Sequence, residues 1–481
     1  MYKKKGIKMY KDDSPSFIKK EHSLFSSEHL KPSRILAMSF ALVILIGTIL
    51  LMLPISSQSG QMTSFIDALF TTTSAVCVTG LVVVNTFEYW SVFGKVVIIL
   101  CIQIGGLGFM TLVSMMLILM GKKISLKNRL IMQEAYNFTT TSGIVRFTIN
   151  IVKGTLLVEL IGALLLSFTF IPEYGIIRGM AFSIFHSISA FCNAGFDLIG
   201  PSSLAPYVGN GLLNFTIMLL ITLGGLGFNV WMDVINMIKI KLKAEKHFTW
   251  KQAFYKLSLH SKLVLTLSAF LILFGSVFFF AVEFSNPSTL GMLTLKEKIY
   301  ASFFQSISPR TAGFFTMGQN SLTDASKVMT MILMIIGGSP AGTAGGVKTV
   351  TIGVLILCAF STIRGKQDTV VFGRKVSFKI IVRALTVIMI ALTVLVTVIM
   401  ILSLTEDASF MDICFEVISG FATVGLTLGL TPNLTTLGKL VLATAMFIGR
   451  LGPVTIAMAL TIKQAKNSGT IEYPEEKIIV G

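Results

Sequence analysis

Four stretches decide how this chain folds: Phe70-Thr-Thr-Thr-Ser-Ala-Val-Cys-Val-Thr-Gly80, Phe185-His-Ser-Ile-Ser-Ala-Phe-Cys-Asn-Ala-Gly195, Phe303-Phe-Gln-Ser-Ile-Ser-Pro-Arg-Thr-Ala-Gly313 and Phe415-Glu-Val-Ile-Ser-Gly-Phe-Ala-Thr-Val-Gly425. Each carries Phe ten residues before a glycine, and the glycines recur after 115, 118 and 112 residues. A second landmark follows them by 25, 29, 24 and 24 residues: Gly105-Gly-Leu-Gly108, Gly224-Gly-Leu-Gly227, Gly337-Gly-Ser-Pro340 and Gly449-Arg-Leu-Gly452. Two landmarks in register over four copies mark an internal repeat. Each stretch is shorter than the roughly 20 residues a helix needs to cross a bilayer, so each reads as a short re-entrant helix ending in a glycine loop.

The surrounding sequence is that of a membrane protein. Of 481 residues 53% are hydrophobic and 13% charged, with a mean hydropathy of +0.80. Soluble domains carry about 25% charge, and disorder, coiled coil and a disulfide scaffold are excluded on the same figures. Apolar runs lie at about 35–55, 91–120, 147–171, 211–238, 261–283, 326–360, 380–404 and 437–462, each long enough to span. The net charge of +17 is confined to one side: segments 1–34, 121–146, 239–262, 361–383 and 463–481 hold 30 of the 40 Lys and Arg but 10 of the 23 acids. That pattern argues against nucleic acid and predicts eight spans, both termini cytoplasmic, and basic loops against anionic lipid. The Lys-rich start precedes an apolar run too long for a signal peptide, without a small-residue cleavage site, so it reads as an uncleaved first span. The expected organisation is an arm at 1–34, repeats at 35–120, 147–238, 261–360 and 380–462, and a tail at 463–481. The fold class is all-α, with four span–pore-helix–span units around one pseudo-fourfold pore.

What such loops do follows from their composition. A dehydrated alkali cation needs several hard oxygen donors, which rings of backbone carbonyls supply, and glycine lets the backbone aim them. Val78-Thr79-Gly80, Asn193-Ala194-Gly195, Thr311-Ala312-Gly313 and Thr423-Val424-Gly425 meet that need, and none contains a carboxylate. Ser64-x-x-Asp67, Thr294-x-x-Glu297 and Ser409-x-x-Asp412 fit capping boxes at the outer edge, which aims the negative ends of the short helices inward. Arg310 is expected to pair with an acid or with carbonyls and brace its loop. The stretch Gly337-Gly338-Ser339-Pro340-Ala341-Gly342-Thr343-Ala344-Gly345-Gly346 cannot continue a stable helix and reads as a mobile constriction or as a simple kink. Lys348 lies near that stretch or at the cytoplasmic end. Enzyme motifs fail: the phosphate-loop pattern at Gly342 to Thr349 has Val347 where glycine is required before Lys348. Gly105 to Gly108 and Gly224 to Gly227 suit close helix packing. His186 reads as packed or hydrogen-bonded. Glu159 is either a proton site or a partner of Lys153. Cys77, Cys101, Cys192, Cys358 and Cys414 form no C-x-x-C pair and read as small buried residues.

At these residues the chain resembles the Trk/Ktr/HKT superfamily of potassium transporters, closest to membrane subunits of the KtrB kind. The resemblance covers roughly 35–462. It is carried by Ala75-Val-Cys-Val-Thr-Gly-Leu81, Phe191-Cys-Asn-Ala-Gly-Phe196, Arg310-Thr-Ala-Gly-Phe314 and Ala422-Thr-Val-Gly-Leu426. It implies a non-enzymatic pore subunit that passes K+ through those loops, and relatives favouring sodium carry serine where this chain has Gly80. It implies that 337–346 is an intramembrane gating loop and that Arg450 faces it. It also implies a homodimer on a ring-forming, nucleotide-binding cytoplasmic regulator of the KtrA kind, in a bacterial plasma membrane, with Na+ as an activator and no organic cofactor in this chain. The rival expectation is a sodium- or proton-coupled potassium symporter, or a sodium-selective relative.

Overall fold

A computed structural model of the chain describes residues 32–108, 143–243 and 249–452, with a few further positions at 111–133 and 455–456. The arm at 1–31, most of 109–142 and most of the tail beyond 452 lie outside the described residues. What is described is mostly helical. In chain order the principal helices are α1 (Pro32–Met52), α2 (Phe65–Val76), α3 (Val92–Leu107), α4 (Ile144–Tyr174), α5 (Ile176–Cys192), α6 (Gly211–Leu226), α7 (Phe228–Lys243), α8 (Leu259–Glu283), α9 (Leu295–Ile307), α10 (Asp324–Ile335), α11 (Thr349–Ile363), α12 (Phe378–Thr405), α13 (Phe410–Ala422) and α14 (Thr436–Leu451). A two-stranded hairpin, Val370–Val371 with Arg374–Lys375, joins α11 to α12.

Among the described residues four helices are long and apolar enough to cross a membrane: Ser33–Met52 within α1, α4, α8 and α12. The pair of α6 and α7, bent by 101°, counts as a fifth when taken as one broken span. The expected crossings at 91–120, 326–360 and 437–462 begin as helices of 16, 12 and 16 residues and break at the second landmark. Gly108, Gly227 and Gly452 end α3, α6 and α14 with the same backbone, φ 83, 87 and 86°. A turn at positive φ is what glycine allows and other residues resist.

Each long outer helix packs on the short helix that follows it: α1 on α2, α4 on α5, α8 on α9 and α12 on α13. The second helix of each group packs on the short helix of the next group, α3 on α5, α6 on α9 and α10 on α13, and the last, α14, returns to α2. The order is therefore cyclic. Glycines make the approach possible, because a Cβ on Gly105, Gly224 or Gly449 would collide with the carbonyl of Val76, Phe191 or Phe421, each four residues before a loop glycine. The first and last groups are also joined by an ion pair, Lys439 Nζ to Asp67 Oδ1 at 2.8 Å.

The carboxylates at the ends of two apolar spans are tied down, as burial demands. Glu406, at the end of α12, accepts from the Thr435 amide at 2.9 Å and from its hydroxyl at 2.6 Å, and so fixes the N-cap of α14. Glu283, at the end of α8, does the same for Thr323, the N-cap of α10, at 3.0 and 2.7 Å. Cys77, Cys101 and Cys192 are buried, whereas Cys358 and Cys414 are half-buried, because their helices α11 and α13 each leave one side uncovered. Glu406→Ala removes the acceptor for two Thr435 donors and is expected to cost about 1–3 kcal/mol, read as a lower thermal midpoint in detergent with Glu406→Gln intermediate.

Candidate cation pathway

Three of the short helices start from a hydroxyl cap. The Thr294 hydroxyl accepts from the Glu297 amide while Glu297 Oε2 accepts from the Thr294 amide at 2.9 Å, a complete capping box. At Ser64 and Ser409 the box is half-formed. Each serine accepts from an amide three residues on, but Asp67 and Asp412 are one methylene shorter than glutamate and accept from the serine hydroxyl instead, both at 2.8 Å. The second short helix has no side-chain cap, because α4 runs to Tyr174 and leaves a one-residue turn at Gly175.

At their other ends the four helices share a left-handed turn. The residue two before each loop glycine is left-handed, with φ of 57° at Val78, 60° at Asn193, 78° at Thr311 and 53° at Thr423. The glycines follow suit at 97, 71, 81 and 92° for Gly80, Gly195, Gly313 and Gly425. Left-handed Val and Thr are costly conformations that persist only where the surroundings impose them. Here the amides are turned back on the helix: Thr79, Ala194 and Val424 donate to the carbonyls of Ser74, Ser189 and Ser419 at 2.8, 2.8 and 2.9 Å. The amides of Gly80 and Gly425 donate to the hydroxyls of Ser74 and Ser419 at 3.0 and 3.1 Å. The third loop departs, since Ile307 stands where the others have serine, and Ala312 N reaches Ser308 O at 2.8 Å.

Nine of the twelve loop amides have acceptors, and the carbonyls are left over. Among the described residues nothing donates to the main-chain oxygens of Val78, Thr79, Gly80, Asn193, Ala194, Gly195, Thr311, Ala312, Gly313, Thr423, Val424 or Gly425, and all twelve residues are buried. The Thr79 and Thr423 hydroxyls are unpartnered as well. The loops touch in sequence. A Cβ on Gly80 would lie 2.5 Å from Ala194 O, on Gly195 2.8 Å from Ala312 O, on Gly313 2.5 Å from Val424 O, and on Gly425 closer still to Thr79 O. So the four glycines form a closed ring, each against the carbonyl next to its neighbour's glycine. All four border one cavity of about 450 Å³, also lined by Asn85, Asp197, Ser202, Asn320 and Thr427. Asp197 Oδ1 accepts from the amides of Ile199 and Gly200 at 3.1 and 3.3 Å, and this acid on the cavity wall was not singled out from the sequence.

On the other side of the ring lies the stretch 337–346. It leaves α10 at Ile336, which bridges to Val347, and Gly337 N donates to Val347 O at 2.9 Å. It docks on the broken end of α6: Ser339 N to Gly225 O at 2.8 Å, Thr343 N to Gly224 O at 3.1 Å, and Ala341 O accepting from Phe228 N at 2.9 Å. It also touches the ring, through the Thr343 hydroxyl to Phe191 O at 3.1 Å and through Gly345 packed against Thr423. Pro340 O lies close to Gly227, Gly338 to Ala344, and Gly342 to Gly224. Gly346 is left-handed at φ 65° and faces Ala422.

Two arginines hold this stretch. Arg450 donates through Nη1 to Thr343 O and through Nη2 to Gly105 O, with Gly106 O at 3.4 Å. The acceptors on α3 were not foreseen; they lie some 345 positions away in the chain. Arg310 donates to the hydroxyls of Ser268 at 3.1 Å and Thr349 at 3.5 Å, rather than to an acid or carbonyls, and Thr349 donates on to Gly337 O. Lys348 Nζ turns back onto Ala344 O at 2.7 Å. Glu159 is reached by Gln103 Nε2 at 3.1 and 3.2 Å and by the Cys192 thiol at 3.9 Å, so its neighbour is Gln103 and not Lys153. His186 is a brace: Nδ1 faces Phe182 O at 2.8 Å and Nε2 accepts from Leu198 N at 3.3 Å, tying the second short helix to the segment beyond Gly195.

Residues 12–470 match the model of the TrkH family, described as a cation transport protein. The chain belongs to the TrkH family. As a TrkH-family member it is a multi-pass membrane transporter and not an enzyme. It is 42% identical over 458 residues to the potassium/sodium uptake protein NtpJ of Enterococcus hirae, covering 94% of this chain and 98% of that one. It is 42% identical over 450 residues to the Ktr system potassium uptake protein B of Bacillus subtilis, covering 94% and 97%. Its fold is similar to the crystal structure of the potassium transporter TrkH from Vibrio parahaemolyticus, with a TM-score of 0.71 and 17% identity over 92% of this chain and 86% of that one.

Arg450→Ala removes the charged donor that ties Thr343 of the loop to α3 and leaves Lys348 on Ala344 O. Such a bond is worth about 1.5–3 kcal/mol, so hydrogen exchange at the Ser339 and Thr343 amides is expected to accelerate roughly ten- to hundredfold while exchange in α4 stays unchanged.

Proposed function

We propose that the chain is the potassium-translocating pore subunit of a Ktr-type uptake system, with eight spans and four re-entrant helices around one pseudo-fourfold pore. The observation that carries this is the closed ring of four glycine loops whose twelve carbonyls are buried without a protein donor. Non-helical backbone at membrane depth is tolerated where it lines a path, and a dehydrated cation is the partner such oxygens lack. Val78, Thr79, Gly80 and their counterparts in the other three loops are the filter. The relatives named for potassium uptake support K+ as the ion. The membrane potential, worth about 2.3 kcal/mol per unit charge at 100 mV, drives accumulation without chemistry in this chain.

Residues 337–346 are the gate, held across the path below the filter by Arg450, whose charge also opposes a passing cation. Opening means exchanging the bonds to Gly224, Gly225 and Phe191 for another set, a bistable device of the kind a second protein can bias. A nucleotide-binding cytoplasmic ring of the KtrA kind, acting on a homodimer, suits that role, and the Ktr-system name of the relatives supports it. The basic segments support a cytoplasmic location for both termini in the cell membrane, with the 450 Å³ cavity on the outer side. Sodium enters as an activator. The second reading, coupled or sodium-selective transport, draws on the name of the Enterococcus relative, which includes sodium.

The test is rubidium flux into liposomes under an imposed potential, with sodium competing. Flux that follows potential, loses selectivity in Gly80→Ser and rises severalfold in Arg450→Ala is the expected result. Flux that requires a sodium or proton gradient favours the second reading, and selectivity unchanged by Gly80→Ser removes the filter assignment.

A further inference from the structure

A second cavity, of about 570 Å³, opens on the side of the molecule between α3 and α5. Its walls are Phe87, Val92, Val96, Ile99, Phe182, Ile184, Phe185 and Leu198, and its polar lining is confined to Gln58, Lys95, Tyr174 and Arg178. Val92, Val96 and Ile184 stay 79, 49 and 46% exposed, so the slot is an apolar groove that the fold leaves uncovered. Both cations stand in the first helical turn of their elements, Lys95 in α3 and Arg178 in α5, at the end of the helices where the ring's outer cavity lies. Lys95 is held in place, with Nζ donating to Phe87 O at 2.8 Å and standing 4.8 Å from the centre of the Phe87 ring, which leaves further donors free. Arg178 has no hydrogen-bond partner or ion pair among the described residues, and neither does any carboxylate line the slot.

An apolar slot with cations at one end fits an amphiphile with an anionic head, since acyl chain and charge are then each matched. We propose that this slot binds one phospholipid with an anionic headgroup: its chain lies along Val96, Ile99 and Ile184, and its phosphate meets Lys95 and Arg178. The slot reaches the pathway. Phe185 and Leu198 form its inner wall, and Leu198 N is bonded to His186, the brace behind Asn193–Gly195. A bound chain therefore supports the second loop of the ring from behind. Only the leaflet, the outer one, rests on the orientation proposed above; the binding itself does not.

The test is native mass spectrometry of the full-length protein released from nanodiscs of phosphatidylglycerol or of phosphatidylcholine, a readout without ion flux. The wild type is expected to retain one phosphatidylglycerol per chain and no phosphatidylcholine. Lys95→Gln with Arg178→Gln, which keeps a donor for Phe87 O, should retain at least tenfold less. Val96→Trp, which fills the slot and keeps both cations, should also lose the lipid. Equal retention in the wild type and both variants, or equal retention of the two lipids, overturns the proposal. So does an oligomer that Val96→Trp dissociates with lipid retention unchanged, since a second copy of the chain is then the occupant.

Discussion

A carbonyl oxygen buried at membrane depth without a donor is a standing cost, and this protein concentrates that cost at one ring. Everything around the ring serves to keep it there. The short helices spend carbonyls of their last turns, and the Ser74 and Ser419 hydroxyls, on the loop amides, while the loop carbonyls have no donor among the described residues. The left-handed residues at Val78, Asn193, Thr311 and Thr423 turn the chain out of each short helix and into its loop. The glycines have no Cβ because each sits where the next loop's carbonyl would collide with one. Strain, burial and close approach are thus a single arrangement, sustained by the packing of α3, α6, α10 and α14 against the short helices.

The glycines of that ring, and the register of the second landmark, could be read directly, because a residue without a side chain is the only solution to a backbone that must pass another at close range. The left-handed residues two positions earlier could not, since Val, Asn and Thr carry no mark of such a conformation; the strain is imposed by the fold. The partners of the buried charges were hidden for a different reason. Gly105 and Gly106 accept from Arg450, and Gln103 donates to Glu159, across chain separations that no local pattern reports. The breaks at Gly108, Gly227 and Gly452 could not be read from the apolar runs, because hydrophobic composition continues past each of them.

The four quarters are similar without being equal, and the departures gather in the third. Ile307 replaces the serine that holds the loop glycine in the first and fourth quarters, and the second helix stops after Ile335, where the long loop begins. The same quarter carries Arg310, which is linked through Thr349 to Gly337. A hydrogen-bonded route therefore runs from the third loop of the ring to the base of the stretch below it. Symmetry is given up where the two parts have to communicate, which is where a strictly repeated design would leave them independent.

The return of α14 to α2, sealed by Lys439 and Asp67, sets an order on the making of the protein. Three of the four contacts between groups join neighbours in the chain and are available as soon as the next helix pair enters the membrane. The fourth joins residues 372 positions apart. Until the final helix is made, α2 lacks that partner and the first and fourth groups stay unjoined, so the cycle of helix contacts closes last of all.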